Sequence, residues 1–216
     1  MRFQNKVIHW KIIINHIISA VYMSGSKTSK AASPDIREFA ILKSFKINIH
    51  LPKTPIIKEI IWSPPIFICI KVNTDGAATK NPPNAVAGGI FRNDAGNCLG
   101  CFTQNLGTAN AYYAELLAAI LAMEFAQSKC YNHLWLETDS QLVCLAIKSS
   151  AKVPWDLSNR WHNCMFFVKS ITFVYSHVYR EGNTCADDLA NLGLNYSLTD
   201  FVLFDSIPDS IRGGVQ

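Results

Sequence analysis

The sequence predicts an α/β domain built on a five-stranded mixed sheet, with an antiparallel meander leading into parallel crossovers and helices flanking it. Three observations carry this. Three β-rich segments follow one another between residues 67 and 106, separated by turn-forming residues. A long stretch dense in Ala and Leu, without Gly or Pro, comes next. Beyond it, short apolar strands alternate with helical segments.

Taken in order, Phe67 to Asp75 reads as the first strand, closing at Gly76. Val86 to Arg92 and Cys98 to Leu106 are the next two, around Asn93-Asp94-Ala95-Gly96-Asn97. That turn supplies the residues that accept positive φ in a hairpin loop. Ala111 to Gln127 is a helix with Asn110 as its cap. Leu134-Trp135-Leu136 is a short strand, followed by a helix from about Ser140 to Lys148. Residues 156–169 are helical, Ile171 to Val178 is the fifth strand, and Thr184 to Leu194 is the last helix. Trp155 and Trp161 pack this helical region rather than stack bases.

Composition sets bounds on this picture. The chain has 216 residues, 49% of them apolar and 17% charged, which excludes a disordered chain. With 11 Gly, 9 Pro and no short repeat, collagen-like and solenoid architectures are excluded as well. The net charge of +4 is unevenly spread: residues 1–70 carry +7, residues 71–195 carry −1 and residues 196–216 carry −2. A basic front end (1–61) therefore precedes a slightly acidic body (62–195) and a tail (196–216). The front end is read as poorly ordered or partly helical. Its apolar run, Ile12 to Tyr22 behind Arg2, Lys6 and Lys11, is interrupted by Asn15 and His16, unlike a signal peptide. Ser24-Gly25-Ser26-Lys27 ends it too early for a membrane span, so no membrane partner is expected. Residues 24–36 read as a linker, Ile36 to Phe45 as a short helix, and Pro52, Pro55, Pro64 and Pro65 as a stiff extended approach. Seven cysteines, an odd number set in apolar segments, read as reduced thiols of an intracellular protein, nucleus or cytoplasm left open. Cys98 and Cys101 have zinc-ligand spacing, but no second pair follows them.

The chemistry lies in four acids. Asp75 closes the first strand, Glu115 sits in the first turns of the long helix, Asp139 follows the fourth strand, and Asp187 is in the last helix. Singly, Asp139 is a helix cap or turn residue and Glu115 a surface acid favoured by the helix dipole. In open α/β sheets, however, sites gather at the carboxyl ends of strands, where Asp75 and Asp139 converge if their strands are neighbours. Acids gathered in this way need a divalent cation, and oxygen-only ligation suits Mg²⁺ or Mn²⁺. Two such ions roughly 3.5–4 Å apart activate a water and stabilise the leaving oxygen of a phosphodiester. Between Asp187 and Asp188, helical spacing decides. Ala186, Leu189, Ala190 and Gly193 form the inward stripe, with Asp187 on its rim and Asp188 nearly opposite.

Asn73-Thr74-Asp75-Gly76-Ala77, Ala114-Glu115-Leu116-Leu117-Ala118, Glu137-Thr138-Asp139-Ser140-Gln141 and Arg180-Glu181-Gly182-Asn183-Thr184-Cys185-Ala186-Asp187 together resemble the four motifs of type 1 ribonuclease H. More narrowly, they resemble the plant form found at the tail of non-LTR retrotransposon reverse transcriptases. The resemblance covers about residues 62–195, with Trp62-Ser63-Pro64-Pro65 similar to that subgroup's lead-in. It implies a ribonuclease H-like fold and Mg²⁺-dependent endonucleolytic cleavage of the RNA strand of RNA–DNA hybrids; a monomer is expected. Asp75, Glu115, Asp139 and Asp187 match the metal-binding acids, two Mg²⁺ being implied, with Mn²⁺ as a substitute. His177, ten residues before Asp187, matches the spacing of a mobile histidine that helps product leave or shuttles protons. Arg180 in the intervening loop either shares or replaces that role. Asn81 and Gln141 fall where the family contacts the hybrid, their plainer readings being a turn residue and a helix-surface residue. Gly76, Ala77 and Asn81, near Asp75 in sequence, are expected to supply backbone and short polar contacts to the 2′-hydroxyl. A backbone and 2′-hydroxyl reader of this kind has weak sequence preference and clear salt dependence.

Two departures bear on substrate affinity. Between Asp139 and the last strand, Lys148, Lys152 and Arg160 are the only bases before Lys169, so no basic grip loop is present. Lys80-Asn81-Pro82-Pro83 replaces a usual Gly-Asn-Pro-Gly turn. The competing reading is a non-catalytic nucleic-acid-binding remnant of a retrotransposon reverse transcriptase. A proofreading exonuclease is disfavoured, because Asp75-Gly76-Ala77 lacks the second acid of an Asp-x-Glu pair.

Overall fold

A computed structural model describes residues 9–33, 35–50, 60–149, 152–198 and 200–211. Arg2, Lys6, Pro52 and Pro55 lie outside the described residues. The chain divides into two units, Met1–Lys58 and Glu59–Gln216.

The first unit holds two helices. α1 (Trp10–Ser26) starts where the His9 ring accepts from the Lys11 N–H, and it runs past the apolar stretch to Ser26. α2 (Ile36–Ser44) is capped by Asp35, whose carboxylate accepts the Arg37 N–H at 2.9 Å. Neither helix buries a residue, and Ile12, Ile13, Ile14, Ile17 and Ile18 are all exposed. Among the described residues, no helix is long and apolar enough to cross a membrane.

The second unit is a mixed sheet of β1 (Ile70–Lys80), β2 (Pro83–Arg92), β3 (Cys98–Gly107), β4 (His133–Thr138), β5 (Thr172–His177) and β6 (Phe201–Phe204), in the order β5-β4-β1-β2-β3-β6. β1, β2 and β3 form the antiparallel meander, and β4 and β5 join in parallel. The helices between them are α3 (Ala111–Ser128), α4 (Gln141–Lys148), α5 (Trp155–Lys169) and α6 (Thr184–Leu192).

α3 is the central packing element. It lies on β1 and β2 and is itself covered by α4 and α5, so ten of its residues are buried, with Ala filling the close approaches. Asn110 caps it, accepting the Tyr113 N–H at 2.8 Å. Each fully buried Leu or Ile there, such as Leu116 and Ile120, contributes about 1.5–3 kcal/mol. α6 covers the opposite face over β1, β2 and β3, where Gly88 admits it: a Cβ there would stand 2.3 Å from the Ala190 nitrogen.

Three expectations need correction. The sheet has six strands, because Phe201–Phe204, in the segment read as a tail, pairs antiparallel with β3 from Gln104↔Phe201 to Cys101↔Phe204. Four apolar residues are too few to show a period, but they satisfy the open edge of β3, and Phe201 packs on Phe102 at 5.7 Å. Asp75 does not close its strand: β1 runs five residues further, because its hairpin with β2 extends from Lys71↔Arg92 to Lys80↔Pro83. Trp161 is fully buried as expected, whereas Trp155, at the first position of α5, is 89% exposed.

Gly76 sets the distance between sheet and helix. A Cβ there would meet the Glu115 nitrogen at 2.2 Å and the Ala114 carbonyl carbon at 2.3 Å, backbone atoms that cannot swing aside. Gly96, in the β2–β3 turn at φ +78°, would meet only the Trp62 ring, at 3.8 Å. Gly76→Ala is therefore expected to cost about 3 kcal/mol or more in a denaturant titration. Gly96→Asn, which keeps a residue tolerant of positive φ, should stay within about 1 kcal/mol of the parent.

Candidate metal centre

The parallel register places the acids. β1 pairs with β4 from Ile70↔Leu134 to Thr74↔Thr138, and Asp75 and Asp139 are the next residue on each strand. They converge where the parallel pairing stops, not where β1 ends. α3 crosses at Gly76 and delivers Glu115, so that one oxygen from each of Asp75, Glu115 and Asp139 lies within 4.8 Å of the others. Among the described residues this is the one such group of His, Cys, Asp and Glu side chains; Cys98 and Cys101 are free thiols on β3.

The electrostatics are those of crowded carboxylates. Burial, then the charges and hydrogen bonds of Asp139 and Asp187, push the Asp75 carboxyl up to about 8. Burial, then Asp75 and Asp139, push Glu115 up to about 9, opposed by the Gly76 N–H. One Glu115 oxygen, Oε2, is buried with no hydrogen-bond partner. An orphaned oxygen on a carboxylate gathered with two other acids fits a hard divalent cation held by oxygen ligands. Asp187 stands outside the group of three but beside Asp75, and it pairs with Arg180 at 3.2 Å. Its neighbours Ala186, Leu189 and Ala190 are buried, as the helical spacing requires.

The other candidates ring this centre. His177 is the last residue of β5, exposed, with Nε2 3.0 Å from the Asp139 carbonyl oxygen. A carbonyl only accepts, so in this contact Nε2 carries the hydrogen and Nδ1 is the basic atom. Arg180 opens a 3₁₀ turn, Arg180–Gly182, and its charge acts on Asp187, Asp75 and Asp139. Gly76 and Ala77 continue β1 directly past Asp75. Gln141 is the exposed first residue of α4. Asn81 is not gathered in: it stands in the exposed β1–β2 turn, roughly 20 Å along the strand from Asp75. Arg160 is not a free base either, since its guanidinium grips Glu124 at 2.8 and 2.6 Å.

A buried polar layer behind the acids is absent from the sequence-based expectations. Lys71, 2% exposed, pairs with Glu137 at 2.9 Å and lies between the Trp62 and Trp135 rings at 5.2 and 4.0 Å. Asn73 and Asn183 are each 2% exposed beside them. The available signal was polar residues alternating through interior strands, at Lys71, Asn73 and Glu137.

The acids' raised values make a pH prediction with a definite sign. Unfolded carboxyls titrate near 4, whereas the folded Asp75 and Glu115 hold protons until about 8 and 9. Between those limits the folded state binds more protons, so metal-free stability should fall as pH rises from about 4 to about 9. Melting temperatures in chelator across that range check this. Asp75→Asn removes the most crowded charge and should raise the metal-free melting temperature at pH 9 by roughly 2–6 °C.

The sequence matches the reverse transcriptase-like family over residues 73–193. An Arabidopsis thaliana protein that carries the name ribonuclease H protein is 33% identical over 181 residues, covering 82% of this chain. The chain spans 29% of that relative's length. Among solved structures, the ribonuclease H1 of the halophilic archaeon Halobacterium salinarum superposes with a TM-score of 0.52 at 27% identity, covering 58% of this chain and 97% of that one. LC11 ribonuclease H1, solved in complex with an RNA/DNA hybrid, gives 0.51 at 26% identity, covering 58% and 96%. With the sheet order, the converging acids and these similarities in place, the chain belongs to the reverse transcriptase-like family, and its sheet domain is ribonuclease H-like.

Proposed function

We propose that the domain is a divalent-metal-dependent endoribonuclease that cuts the RNA strand of RNA–DNA hybrids. The observation that carries this is the convergence of Asp75, Glu115 and Asp139 within 4.8 Å, with Glu115 Oε2 left without a partner. A relative with 26% identity is solved bound to an RNA/DNA hybrid, which supports the substrate class.

In this reading Asp75, Glu115 and Asp139, joined by Asp187, hold two Mg²⁺ or Mn²⁺ ions. Bound there, the ions supply positive charge to the attacking and leaving oxygens of the phosphodiester. The chain's own residues do the rest. Ala77, half-buried just past the acids, carries only a methyl group, so a minor groove can approach the backbone there and its 2′-hydroxyls be read, while Gly76 is buried beneath α3. Arg180, exposed and paired with Asp187 at 3.2 Å, turns its other donors to a phosphate. His177 Nδ1 takes or returns a proton at the site's rim as product leaves. Asn81 and Gln141, exposed on either side, touch sugar and phosphate further along the hybrid.

The test is cleavage of end-labelled RNA–DNA hybrid with Mg²⁺, against duplex DNA and duplex RNA. Only the hybrid's RNA strand should be cut, and Asp75→Asn should lower the rate by ~100-fold or more. Cleavage of all three duplexes alike, or an unaffected Asp75→Asn, overturns the assignment. Arg180→Ala should raise KM more than it lowers kcat and should flatten the salt dependence of binding by about one phosphate contact.

A further inference from the structure

Asn183 occupies the N-cap position of α6, yet its side chain does not cap the helix. An Asn there ordinarily turns its carbonyl oxygen onto its own helix's N–H groups. Here the backbone carbonyl accepts from Ala186 and Asp187 at 3.0 and 3.1 Å, and the side chain is turned inward, 2% exposed. Its Nδ2 donates to the Thr74 carbonyl at 3.0 Å and reaches Asp139 Oδ1 at 3.5 Å. One residue thus touches the backbone beside Asp75, the carboxylate of Asp139 and the N–H of Asp187.

The direction of its amide is dictated from a distance. An indole N–H only donates, so Trp62 Nε1, 3.0 Å from Asn73, requires an oxygen there, Oδ1. That oxygen also faces Arg92 Nη1 at 3.5 Å. Asn73 Nδ2 is then left to donate, to Glu137 Oε2 at 2.9 Å and Asn183 Oδ1 at 3.3 Å. Glu137 is itself held by Lys71 at 2.9 Å and by the Ser176 hydroxyl at 3.2 Å. Asn183 must therefore present its oxygen to Asn73 and its N–H groups to Thr74 and Asp139. A flipped amide would set two donors face to face and turn an oxygen toward a carboxylate.

We infer that Asn183 is a positioning residue for the metal centre, aimed through Asn73 by Trp62 and Glu137, and that it holds Asp139 and the start of α6 in the ligating arrangement. The inference rests on the proposed metal-dependent function. Hydrogen-bond partners that orient metal ligands typically alter affinity by about 10–100-fold when removed.

Calorimetric titration of Mn²⁺ into the full chain tests this, with melting temperature and circular dichroism recorded on each variant. Asn183→Ala is expected to weaken Mn²⁺ binding by about 10–100-fold. Its hybrid cleavage should return as Mn²⁺ is raised, which a merely structural defect would not allow. Trp62→Phe keeps a ring over Lys71 but removes the donor. It should weaken Mn²⁺ by a smaller factor from a position that touches none of the acids, and it answers the question if Asn183→Ala fails to fold. Parental Mn²⁺ affinity in a folded Asn183→Ala, or in Trp62→Phe where the former does not fold, overturns the positioning role alone. A wild-type chain showing no Mn²⁺ binding that Asp75→Asn abolishes overturns the metal reading itself, and the inference with it.

Discussion

Three carboxylates held within 4.8 Å of one another repel, and the domain is arranged around sustaining that repulsion. At an effective dielectric near 20, a pair of charges at this distance opposes folding by about 3–4 kcal/mol. A single hydrogen bond returns about 1 kcal/mol, so no one contact can hold the acids together. The arrangement instead draws on the whole sheet. β1 and β4 bring Asp75 and Asp139 to the end of their shared register, and α3, locked in a core on both sides, brings Glu115 across Gly76. Protonation of Asp75 and Glu115 relieves the strain in one way, and a divalent cation in another. Only the second leaves the carboxylates charged.

The two faces of the sheet solve different problems. The face under α3 is apolar, and its packing supplies stability. The opposite face at β1 and β4 carries the buried polar side chains Lys71, Asn73 and Glu137, closed by Trp62 from the lead-in segment. A buried ion pair such as Lys71–Glu137 contributes little net stability, because desolvation offsets its attraction. Its use is directional. Lys71 and Ser176 fix Glu137, Glu137 and Trp62 fix Asn73, and each side chain leaves the next one a single orientation. The lead-in residues after Glu59 are thereby structural members of the sheet domain, consistent with the division of the chain at that point.

The motifs were legible because each is local. Ala and Leu without Gly or Pro make α3, Asn110 caps it, and the spacing of Ala186, Leu189 and Ala190 places Asp187 at the rim of its helix. The sixth strand was not legible, since Phe201–Phe204 becomes a strand only through the open edge of β3. Trp155 was misread for a related reason: aromatic character does not tell which side of a helix faces the core, and its ring is 89% exposed.

The sequence by itself determined the element order of the meander and crossovers, the four acids, and the family motifs that carry them. Tertiary structure decided that Asp75 lies mid-strand, that its partner distance is set by where the β1–β4 pairing stops, and that Asn183 faces inward instead of capping α6. The reason is physical. Helix caps and periodicity act over a few residues, whereas the β1–β4 register and the direction of the Asn183 amide are set by partners 44 to 110 positions away.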